Sequence, residues 1–268
     1  MRVAPTALLV LLLASAGSAA VAEPESLARA RGLYNAGSFD AAIEAATAAR
    51  AEPMFADAAA LVLARAHLER YRSGSNPADL ATARDILAAV RPHALSPRDQ
   101  VDLLIGLGQT LYLGAAFGAA AELFDTALGR GSILPLRDRR MLLDWWATAV
   151  DHEAQSRAPD RRAALFARLS DRMSEELLIE PGSPVANYWL AAAARGAGDL
   201  DRAWDAAVAA WVRASLSPDT TATLRTDVDR LVQQALIPER ARTRPAREQP
   251  EAIAALSAEW ELVKQNWK

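Results

Sequence analysis

Apolar and small residues recur along this chain at three- and four-residue steps, the spacing that puts them on one face of a helix. The pattern is sharpest over residues 104–127. Leu104, Leu107, Gly108 and Leu111 mark one helix face, and Phe117, Ala120, Phe124 and Ala127 mark a second. The turn between them is short, so the two helices are expected to run antiparallel. Gly108 and Ala120 let the backbones approach closely, and Phe117 and Phe124 fill the remaining volume.

The same pattern returns on both sides. Residues 27–51 form a pair about Gly37-Ser38-Phe39, with Ala42, Ala46 and Ala49 as the small stripe. A third helix carries Leu61, Ala64 and Leu68, and its partner carries Leu80, Ala83, Leu87 and Val90 after a longer loop. Ser96-Pro97 reads as a cap with proline at the first helical position. Leu142, Trp146, Ala147 and Val150 predict another helix, and Pro159 opens its partner, with Ala163, Ala167 and Ser170 expected as the small stripe. After the break at residues 181–184, a last pair turns at Gly198 and carries Ala203, Ala207 and Ala210.

This arrangement resembles the tetratricopeptide repeat (TPR), over roughly residues 25–215. The resemblance implies an all-α fold, an α-solenoid of about five antiparallel helix pairs with a C-terminal capping helix, in an exported bacterial TPR protein. The alanines at 42, 83, 120, 163 and 203 are spaced by 41, 37, 43 and 40 residues, against a family period of 34, with the excess in loops. HEAT-like arrays have periods near 40 and remain the structural alternative.

The ends are organised differently. Residues 1–22 hold a single charge, Arg2, an apolar run and the small-residue pattern Ala20-Val21-Ala22, which reads as a cleavable secretory signal with a cut after Ala22. The repeats are then expected over 23–217 and C-terminal helices over 218–268, with an Arg/Pro-rich linker at 237–250. In the last helix Ile253, Leu256, Trp260 and Val263 form an apolar face suited to capping the array; the other reading is a docking helix built on Trp260 and Trp267.

Composition narrows the setting. With 0 cysteines the chain carries neither disulfides nor a lipid-anchored Cys, so a periplasmic or secreted protein held together by packing is expected. No run after the leader is long and apolar enough to span a membrane. Without the leader 29 basic and 33 acidic residues remain, a net charge near −4, which does not suit nucleic acid.

Motifs for chemistry are lacking. Lysine occurs only at 264 and 268, so there is no Gly-Lys-Ser/Thr phosphate loop. His67, His93 and His152 are scattered, no metal or other cofactor is expected, and Asp151-His152-Glu153 points three ways from one helix end and reads as solvated. There is no Gly-x-Ser-x-Gly turn. The chain therefore reads as a non-enzyme.

What the resemblance leaves is a surface. In such arrays the first helix of each pair lines the concave side. It places Arg31, Tyr34, Asn35, Arg65, Gln109, Tyr112, Trp145, Thr148, Asp151, Tyr188 and Arg195 in a groove for a protein or peptide partner, since aromatics and arginines give contact area and bidentate bonds. Chaperone-binding members of the family clamp a terminal carboxylate with Lys and Asn. Leu27 and Arg31 stand at the first two of those positions, so that activity is not expected. A cell-wall glycan-binding or glycan-processing protein is the alternative.

Overall fold

A computed structural model describes residues 23–130, 133–216 and 222–268; the leader expected at 1–22 lies outside them. The described residues are helical and carry no strand. Five consecutive pairs come first: α1 (Glu25–Asn35) with α2 (Phe39–Ala49), α3 (Ala56–Gly74) with α4 (Pro77–Ala89), α5 (Pro97–Leu113) with α6 (Phe117–Gly129), α7 (Leu136–Gln155) with α8 (Pro159–Ile179), and α9 (Pro184–Gly196) with α10 (Leu200–Leu216). Then follow α11 (Ala222–Leu231), α12 (Ile237–Arg242) and α13 (Gln249–Asn266). From α1 to α11 each helix packs on the next in sequence, and α1 on α3, α3 on α5, α7 on α9 and α9 on α11 add contacts between odd-numbered helices.

The starts and stops follow from local chemistry. Asn76, Ser96 and Ser183 accept a backbone N–H at 3.1, 3.1 and 3.3 Å, each just before a proline at the first helical position of α4, α5 and α9. The turns α1–α2, α5–α6 and α9–α10 are the same structure. Ser38, Ala116 and Asp199 each donate to a carbonyl five residues back, at 2.9 Å in all three, the wrapped end that needs a left-handed residue. Gly37 and Gly198 supply it at φ +76° and +85°, and Ala115 supplies it at φ +60°.

The small stripes are buried as expected at Ala42, Ala46 and Ala49, at Ala120 and Ala127, and at Ala203, Ala207 and Ala210. Gly108 receives the Phe124 ring so closely that a Cβ would lie 2.5 Å from it. In α8 the expected stripe is corrected: Ala163 and Ala167 are exposed, and Phe166, Leu169 and Met173 face the core. The small partner there is on the neighbouring helix, because Gly196 of α9 lies under the Phe166 ring.

Two further expectations change. Residues 237–250 are not a plain linker. The chain passes from α11 through a π-turn at Val232–Leu236 into α12 without stopping, and that irregular turn lies just before Pro238, whose missing N–H and ring a regular helix would not accommodate; Ile237 and Ala241 are buried. Trp260 is 1% exposed, packed edge-on to Trp204 and Trp211, with Nε1 donating to Asp229 at 2.7 Å. It is therefore committed to its own chain. Ile253, expected on the same buried face, is 41% exposed. No helix among the described residues is long and apolar enough to cross a membrane.

Candidate functional site

The odd-numbered helices α1, α3, α5 and α7, with Phe39 at the start of α2, line one groove. On α5 the residues Arg98, Asp102, Ile105 and Gln109 fall at steps of four, three and four, one helix face, and all four line it. On α7 the same logic brings Arg137, Asp138, Met141, Leu142 and Trp145 to the groove, and the end of α1 adds Tyr34 and Asn35. The main cavity is about 530 Å³. A side cavity of about 200 Å³ shares Tyr34, Asn35, Arg65, Arg98 and Asp102 with it and adds Arg31 and Asp99. A third, of about 320 Å³, continues past Arg137 and Met141 to Tyr188 and Asp227.

Charges in the groove are arranged as a ladder. Arg31 meets Glu23 at 2.7 Å and Asp99 at 2.9 Å. Arg65 lies over the Tyr34 ring at 4.8 Å and approaches Asp102 at 3.3 Å. Arg98 bridges Asp102 at 3.3 Å and Asp138 at 2.8 Å. Most of these cations are thus spoken for within the chain, which lowers the net field of the groove. At the far rim Arg72 holds Glu69 at 2.8 Å and lies over Trp145 at 5.2 Å, reaching from α3 to α7.

Burial shifts the tyrosines of this surface. Tyr34 is raised by burial, with Arg65 pulling the other way, and Tyr112 is raised by burial. Tyr188 is pushed up to about 12 by burial, and the Asp227 and Asp144 charges add to it.

Of the residues expected in the groove, Arg31, Tyr34, Asn35, Arg65, Gln109 and Trp145 come together there, and Tyr188 lines the continuing cavity. The others are occupied elsewhere. Tyr112 packs edge-on to Phe117 and Trp145, at 5.2 and 5.0 Å. Thr148 donates to the Asp144 carbonyl, and Asp151 accepts from Gln155 at 2.6 Å. Arg195 is tied to Glu239 of α12 at 2.7 and 2.9 Å, a contact from a segment expected to be linker. Glu69, Arg98, Asp102, Arg137, Asp138 and Met141 also line the groove, where they were not expected. Stepping back by helical turns from Gln109 and Trp145 reaches Asp102, Arg98, Met141 and Asp138, so the signal was present in the spacing.

Asp151-His152-Glu153 is solvated in part, with His152 exposed and Asp151 and Glu153 half-buried, but two of its side chains also have partners across helices. Glu153 accepts the Gly118 N–H at 3.1 Å at the start of α6 and holds Arg157 at 2.6 Å, and His152 stacks on Phe117 at 4.6 Å. A carboxylate at a helix N-terminus is favoured by the dipole there. Among the described residues no group of three His, Asp or Glu side chains could hold a metal ion.

No protein-family model matches this chain, and no curated protein matches its sequence.

Proposed function

We propose that this chain is a non-enzymatic protein-binding scaffold or adaptor of the cell envelope, its helix pairs forming a TPR-like solenoid and its groove holding a segment of a partner protein. The observation that carries the reading is the groove itself. The first helices of four consecutive pairs line it, and the side chains of Asn35, Gln109 and Arg137 face it with no hydrogen-bond or ion-pair partner among the described residues. Polar groups held open beside Tyr34, Phe39 and Trp145 combine bonding capacity with aromatic area, the makeup of protein-binding surfaces. Export rests on the leader expected at 1–22, and the array on the repeat pattern.

Cross-linked pull-down from envelope extract is compared for the wild type, for a groove variant (Asn35→Ala, Gln109→Ala, Arg137→Glu) and for an outer-surface variant (Arg161→Glu). A saturable partner retained by the wild type and the outer variant and lost by the groove variant supports the reading. A partner held equally by all three rejects the groove. The glycan alternative draws on the same Trp145 face and planar amides, and binding of soluble cell-wall fragments in place of any protein would favour it.

A further inference from the structure

Toward α9 and α11 the groove continues as the cavity of about 320 Å³, to which Met141, Pro184, Val185, Tyr188 and Leu224 give apolar walls. Nearly every charge lining the groove and its side cavities is answered inside the chain. Arg140 is bonded to Glu180 and Asp227 to Arg230, as Arg31, Arg65 and Arg98 are to their aspartates. Two charges are left. Arg137 is exposed and has no hydrogen-bond or ion-pair partner among the described residues. Asp144 has no ion-pair partner among them, and one of its oxygens accepts from Trp189 Nε1 at 2.7 Å. It is open toward the cavity but crowded by protein on its other sides, which pushes its carboxyl up, and the Asp227 charge adds to this. Arg137 and Asp144 stand on one face of α7, two turns or about 10 Å apart along its axis. Met141, 49% exposed, lies between them. A positive end, an apolar middle and a negative end thus follow one another along one wall of the cavity.

Resting on the peptide-groove reading above, we infer that this cavity receives a stretch of the bound segment that carries an acidic, an apolar and a basic residue at alternate positions. The carboxylate pairs with Arg137, the apolar side chain lies on Met141 beside Val185 and Leu224, and the cation pairs with Asp144. Alternate residues of an extended chain face one side about 6–7 Å apart, so the three span about 13 Å. The long stems of Arg137 and of the incoming Lys or Arg take up the difference. Charge selects against the alternatives. Two acids would set one of them against Asp144, and two bases would set one against Arg137. A wholly apolar stretch would cover both protein charges and answer neither.

The test is a nuclear magnetic resonance titration of the full chain, labelled at its methionine methyls, with three capped pentapeptides: Glu-Ala-Leu-Ala-Lys, Glu-Ala-Leu-Ala-Glu and Lys-Ala-Leu-Ala-Lys. Met141 reports the cavity, while exposed Met54 and buried Met173 are the controls. The mixed-charge peptide should move the Met141 methyl and bind about fivefold tighter than either like-charged one, since each of those loses one pair and gains one repulsion. Arg137→Gln should abolish its advantage over the double-Lys peptide, and Asp144→Asn its advantage over the double-Glu peptide. Asparagine keeps an oxygen for Trp189 Nε1, and an unmoved Met173 signal checks that both variants fold. A like-charged peptide binding the wild type as tightly as the mixed one overturns the inference, and so does a ranking that survives both substitutions. A trimer of N-acetylglucosamine moving Met141 where no peptide does also overturns it. If no peptide moves Met141 while the pull-down partner still needs the groove, this inference falls and the groove reading survives; if the groove partner also fails to appear, both fall.

Discussion

Gly108 of α5 lies under the ring of Phe124 of α6, so close that a Cβ would stand 2.5 Å from Cε1 and 2.7 Å from Cδ1. The Gly196–Phe166 contact between α9 and α8 has the same closeness, 2.5 Å. Gly108→Ala and Gly196→Ala should each destabilise by about 1–3 kcal/mol through overpacking, although alanine is the better helix former. Gly129, where a Cβ meets nothing within 4 Å, is the control, and its alanine variant should be neutral or gain up to about 1 kcal/mol. Urea unfolding of the three variants decides it, and Phe124→Leu should recover part of the Gly108→Ala loss.

Ala115 holds a left-handed turn, φ +60°, that Gly37 and Gly198 hold in the equivalent turns. A Cβ in that conformation costs about 1–2 kcal/mol. Ala115→Gly should therefore stabilise by about 1 kcal/mol, net of the added freedom of the unfolded chain. Gly37→Ala and Gly198→Ala should lose a similar amount. Thermal melts of the matched set would contradict this if all three changes went the same way.

Trp260 lies within α13 and Trp267 just past its end, with opposite exposures, 1% and 45%. Trp260→Ala removes a buried ring and its bond to Asp229, which keeps Lys264 and Gln233 as partners, and should cost about 3–5 kcal/mol. Trp267→Ala should cost far less: its backbone oxygen, not its ring, accepts from Trp211 Nε1 at 3.1 Å. Chemical denaturation of both variants tests whether α13 is integral to the fold.

Tyr188, beside the groove, is raised from 10.0 to about 12, by burial first. A folded-state value above the unfolded one means the native chain holds its proton longer. The stability linked to this group is whole below pH 10 and is lost as pH rises toward 12. Ultraviolet titration of the phenolates should show several late tyrosines, of which the step near pH 12 disappears in Tyr188→Phe and moves to lower pH in Asp227→Asn, whose charge contributes to the shift.

By itself the sequence determined the helices, their pairing and most of the small-against-large packing, because these depend on periodicities of three and four and on caps such as Ser96-Pro97 that act within one turn. It also placed Tyr34, Asn35, Arg65, Gln109 and Trp145 on faces that do converge. The tertiary structure decided what local pattern could not carry. The partner of a bulky residue can lie on another helix, as Gly196 does for Phe166, so α8 buries large side chains where a small stripe was expected. Residues far apart in the chain choose between solvent and a partner by distance: Arg195 finds Glu239, His152 finds Phe117, and Asp102 is shared by Arg65 and Arg98. Spacing along a helix tells which way a side chain points, and only the assembled helices tell what it meets there.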